Sequence, residues 1–116
     1  MITINNSIIT MTKGDSVEFT LPLLQGIELN TEPIDLSDVE KIEFNIVASN
    51  QPSEYAFIKK EFLPSEVEEG NLIVSLEPED TEDLCVGKYY YEVKLLNEFE
   101  DFIYTVIPRR LFYLTK

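Results

Sequence analysis

The chain has 116 residues, 9 basic against 22 acidic and no histidine, for a net charge of −13. That balance opposes a phosphate backbone or an anionic membrane, since both are held by cations. The missing imidazole removes His-based triads, Cys-His dyads and the commonest zinc ligand. A single cysteine forms no internal disulfide. At 44% hydrophobic and 11% aromatic residues, the composition belongs to a folded chain and its length suits one domain, residues 1–116.

In chain order, the dominant hydrophobic period is two, which marks strands buried on one face. The opening segment, a strand near 2–11, has no basic n-region or long apolar run, so no secretion signal is expected. In the next strand, near 16–23, Val17, Phe19, Leu21 and Leu23 share a face. The longest connection, 24–38, follows it. Near 39–48, Ile42, Phe44 and Ile46 alternate with Lys41, Glu43, Asn45 and Val47. Further strands are expected near 55–62 and 71–76, the second carrying Leu72, Val74 and Leu76 inward.

Between 77 and 83 lie five acids, Glu77, Glu79, Asp80, Glu82 and Asp83. They lack the spacing of a calcium-binding EF-hand loop, and one helical turn accounts for "PEDTEDL" equally well. The lone Cys85 reads as a small apolar filler beside a turn. In the strand near 88–96, Tyr89, Tyr91, Val93 and Leu95 point inward, while Tyr90, Glu92, Lys94 and Leu96 point outward. The order Asp83, Gly87, Tyr89, Tyr91 resembles the entry to strand F of immunoglobulin-like domains, where a tyrosine hydroxyl bonds back to nearby backbone. Tyr91 occupies the position of the second cysteine of antibody domains, and the chain has no tryptophan. Strands near 101–107 and 110–115 complete the chain. Pro22 and Pro108 interrupt apolar runs and are expected at a strand edge or bulge, because proline cannot donate to a ladder.

About seven short strands separated by glycine and proline predict an all-β, immunoglobulin-like antiparallel β-sandwich without a disulfide. No catalytic constellation, cofactor motif or metal-ligand spacing is present, so a non-enzyme is expected. The adjacent basic pairs, Lys59–Lys60 and Arg109–Arg110, are candidate contacts with an acidic partner, including a second copy of the chain.

The order of short motifs resembles one family. It comprises Lys13, Gly14 and Asp15; then Pro33, Asp35, Leu36 and Ser37; then Leu84, Gly87, Tyr89 and Tyr91. It is similar to the N-terminal β-sandwich domain of the upper baseplate protein family and related tail proteins of bacteriophages and prophages of Gram-positive bacteria. The resemblance implies a virion component, made in the bacterial cytoplasm, that anchors or spaces receptor-binding parts. Its partners would be other tail or baseplate proteins or copies of itself, with no nucleic acid, membrane or cofactor. A module binding an extracellular ligand or glycan is the second reading, on the strength of aromatics outside the expected core, among them Tyr55, Phe57, Phe99, Phe102, Tyr104, Phe112 and Tyr113.

Overall fold

A computed structural model describes residues 2–5, 7–25, 32–33, 39–97 and 103–116. Its strands are β1 (Ile2–Asn5), β2 (Ile8–Thr12), β3 (Val17–Pro22), β4 (Leu24–Gln25), β5 (Glu32–Pro33), β6 (Lys41–Val47), β7 (Ile58–Phe62), β8 (Asn71–Leu76), β9 (Gly87–Leu96) and β10 (Ile103–Thr115). One helical turn, α1 (Pro78–Thr81), lies between β8 and β9.

The strands form an all-β sandwich. One sheet has the order β1-β2-β10-β9-β6-β7; opposite it lies the pair β3-β8, and β4-β5 is a two-residue ladder within the long connection. The two layers meet through the apolar faces that period two assigned to them. Val17, Phe19 and Leu21 of β3 and Leu72, Val74 and Leu76 of β8 join one core with Ile42, Phe44 and Ile46 of β6 and Tyr91, Val93 and Leu95 of β9. Phe19 stands edge-on to Phe44 across the layers at a centroid distance of 5.8 Å, a favourable aromatic geometry. With β1 and β2 counted as the first strand and β4-β5 set aside, the second and fifth strands share one sheet and the third, sixth and seventh the other. Immunoglobulin-like sandwiches divide these five strands in the same way, but here the first and fourth strands, β1-β2 and β7, lie in the sheet of the third, sixth and seventh and not beside the second and fifth. One pairing departs from an all-antiparallel pattern: β10 runs parallel to β2, with Phe112 opposite Ile9 and Leu114 opposite Met11.

Three elements differ from the periodicity reading, each for a local reason. The expected strand 2–11 folds back on itself, so that β1 and β2 pair Asn5 with Ile8. Ser7 turns the chain at φ +67°, a conformation that hairpin turns demand and alternation does not announce. Residues 53–55 form a 3-10 turn ahead of β7 instead of its beginning. The two expected C-terminal strands are one, β10, with irregularities between Thr105 and Ile107 and between Ile107 and Arg110.

The second irregularity changes the core. Ile107 faces Val93 and Arg110 faces Tyr91, so Pro108 and Arg109 together oppose Glu92. This is a β-bulge, placed where proline has no N–H to give. The extra residue shifts the alternation by one and turns Phe112 inward, where it is fully buried. Phe112 therefore belongs to the core and not to the outer aromatics. Pro22 ends β3 in its two-stranded sheet.

Candidate functional site

The outward face of β6 and β9 is unusual because it too is buried. Glu43, Asn45 and Val47 lie outward on β6, yet all are buried, and Glu92 on β9 is 2% exposed. Charged groups occupy such positions only when paired. Asn45 lies opposite Glu92 in the β6-β9 register and opposite Lys59 in the β6-β7 register. Its Nδ2 donates to Glu92 Oε2 at 3.1 Å and to Glu43 Oε1 at 3.3 Å. Two carboxylate acceptors fix the orientation of this amide, since a flip would set oxygen against oxygen. Asn45 Oδ1 has no partner among the described residues.

Arg109 closes the network. The bulge that Pro108 creates places its side chain beside Glu92, and Nε donates to Glu92 Oε1 at 3.0 Å. The rest of the guanidinium turns to the segment between β6 and β7. Nη1 donates to the Ser49 carbonyl at 3.3 Å, and Nη2 donates to the Gln51 carbonyl. Ser53 Oγ donates to Glu92 Oε2 from the same segment. Arg109 and Glu92 thus fasten residues 49–53 over the sheet. Around them Lys94 lies 3.8 Å from Glu92, Lys59 lies 3.6 Å from Glu43, and Lys41 lies 2.8 Å from Glu61. Burial raises the Glu92 carboxyl. Hydrogen bonds from Ser53, Arg109 and Asn45 and the Lys94 charge outweigh it, so the group sits below its ordinary value.

The second constellation lies at the start of β9. Tyr89 Oη donates to the Cys85 carbonyl, four residues upstream, at 2.6 Å. Gly87 lies between them at φ +149°, in a region that L side chains rarely adopt. Tyr91 Oη donates to the Ser7 carbonyl at 2.6 Å, and Arg110 Nη1 donates to Ser7 Oγ at 3.2 Å. Both hydroxyls, set among apolar side chains, thereby find acceptors on backbone that turns. Asp83 is exposed in the turn after α1. Cys85 is exposed as well, which corrects its reading as an apolar filler: its carbonyl, not its thiol, serves the fold.

The first and third family-like motifs meet through α1. Thr12 to Asp15 is a turn closed by Asp15 N–H to the Thr12 carbonyl at 3.2 Å, with Gly14 at φ +83°. Gly14 N–H donates to Thr81 Oγ1, fully buried, at 2.9 Å. In the acidic segment, Asp80 caps α1 by accepting the Glu77 N–H at 2.7 Å and pairs with Lys60 at 2.9 Å. Of the middle motif, Asp35, Leu36 and Ser37 lie outside the described residues.

Of the four basic candidates, Lys60 and Arg109 are engaged by Asp80 and Glu92 within the chain. Lys59 and Arg110 are exposed. Sequence reading placed Arg109 at a surface and missed its place in the network. Pro108 within an apolar run was the available signal, because a bulge re-aims the side chain after it. An open depression of about 590 Å³ on the outer side of β3-β8 is lined by Thr20, Glu68, Glu69, Asn71 and Ile73. Among the described residues, no group of three or more His, Cys, Asp or Glu side chains is arranged to hold a metal ion. No helix among them is long and apolar enough to cross a membrane. Tyr55, Phe57 and Leu63, which flank β7, are exposed; Phe57 also stands edge-on to Tyr89 at 5.5 Å. Comparison with protein-family models and with curated proteins found no match to the chain.

Proposed function

We propose that the chain is a non-catalytic structural module of a bacteriophage or prophage tail or baseplate, anchoring or spacing receptor-binding parts by protein–protein contact. The observation that carries this reading is the order of the motifs Lys13-Gly14-Asp15, Pro33 to Ser37 and Leu84 to Tyr91 on an all-β sandwich. The way the buried charges are used supports it. Glu92, Arg109 and Asn45 spend their hydrogen bonds on one another, on Glu43 and on the 49–53 segment, which is the use of a scaffold. The protein would be made in the bacterial cytoplasm and reside in the virion. An antibody against the chain should label purified particles of the encoding phage at the tail end; particles that lack the chain would remove the reading.

A second reading, a module for an extracellular ligand or glycan, has one observation in its favour. Tyr55 is 64% exposed beside Phe57, and exposed aromatic faces stack on sugars. A glycan array separates the two: a hit abolished by Tyr55→Ala supports this second reading, and silence across the array removes it.

A further inference from the structure

We propose that β7 pairs with β7 of a second copy in antiparallel register centred on Lys60, joining two six-stranded sheets edge to edge. The inference deepens the assembly reading, and rests on it for its biological use, by naming the surface and the partner.

Among the described residues β7 pairs only with β6 and forms one edge of its sheet. The backbone groups turned away from β6 are a template for another strand. Lysines on an edge strand commonly guard against such pairing. Here the sequence "FIKKEFL", residues 57–63, is complementary in character to its own reverse, apolar to apolar and Lys59 to Glu61. Centred on Lys60, Phe57 of one copy faces Leu63 of the other, Ile58 faces Phe62, and Lys59 faces Glu61. Directly opposed residues on adjacent strands interact most strongly, and opposite charges and apolar pairs both stabilise them. The two-fold generates every pair but the central one twice. The one like-charge pair is Lys60 with Lys60, and each of these ammonium groups already lies 2.9 Å from its own Asp80. The terminal residues supply apolar area, since Phe57 is 48% exposed and Leu63 is 59% exposed.

Neighbouring registers that keep both cores on the same side are worse. A centre on Lys59 sets Lys59 against itself and Phe57 against Glu61. A centre on Glu61 sets Glu61 against itself and Lys59 against Leu63. Charge and apolarity thus select one register.

Sedimentation equilibrium of the full chain from micromolar to millimolar concentration tests this. The expected result is a monomer–dimer equilibrium. Lys59→Glu or Glu61→Lys alone should weaken it roughly tenfold or more, because two attractive pairs become repulsive. The double reversal, Lys59→Glu with Glu61→Lys, should restore it. Hydrogen exchange of the unaltered chain gives a reading independent of the variants' folding: amides in 58–62 should exchange more slowly as concentration rises. A monomer throughout would overturn the proposal and leave β7 a guarded edge. So would a dimer that neither reversal weakens, which would use another surface. Neither result bears on docking to a tail protein, which is measured with that partner present.

Discussion

Tyr89 and Glu92 illustrate two ways in which this sandwich handles a polar atom near its core. Tyr89 keeps its ring among apolar side chains and gives its hydroxyl to the Cys85 carbonyl. Tyr89→Phe should lower the unfolding free energy by about 1 kcal/mol, read from urea denaturation, since one hydrogen bond is lost and one carbonyl left unpaired. Gly87→Ala should cost roughly 1 to 3 kcal/mol through backbone strain alone, because nothing lies within 4 Å of the added carbon. Glu92 instead keeps a charge that is nearly sealed from water. Its folded-state pKa lies below the unfolded one. Its contribution to stability is therefore complete above the unfolded value of about 4.3 and is lost as pH falls through the folded value. Denaturation midpoints of Glu92→Gln should accordingly fall less steeply than those of the wild type below about pH 4.3.

At the scale of the element, the bulge in β10 has the widest consequences. Two residues, Pro108 and Arg109, oppose Glu92 alone, so Phe112 and Leu114 enter the core and Arg109 reaches the outer face. Arg109→Ala should cost roughly 2 to 3 kcal/mol, between the ranges for exposed and buried ion pairs, because Glu92 is left buried without its guanidinium partner. Arg109→Lys should recover only part of that loss. An ammonium cannot span a carboxylate and two carbonyls as a planar guanidinium does. In both variants amide exchange should quicken at residues 48–53, which Arg109 and Ser53 fasten to the sheet. The inward faces of β3, β6, β8 and β9 were legible in the sequence, because a strand with one face in a core writes its period in apolar residues. The hairpin at Ser7 and the continuity of β10 were not. A turn at positive φ and a one-residue bulge leave little trace in alternation beyond a single proline. Nor was the burial of Glu43, Asn45 and Glu92, whose polar side chains read as solvent-facing until their partners on neighbouring strands and the 49–53 segment are in place.

For the whole molecule, a net charge of −13 coexists with a sheet face where Lys41, Lys59, Lys94 and Arg109 are matched against Glu43, Glu61 and Glu92. Four of the nine basic residues help to hold this face together, and the excess of acid falls on the rest of the surface. Such a surface suits association with a basic or a matched partner and keeps copies apart elsewhere. The proposed mode of action is protein–protein contact. Sedimentation velocity of the pure protein, alone and mixed with the tail and baseplate proteins of the phage proposed to encode it, is the measurement that bears on this. The expected result is a faster-sedimenting complex, with at least one of those proteins or between copies of the chain. A single species at the monomer's sedimentation coefficient in every mixture and at every concentration would contradict it.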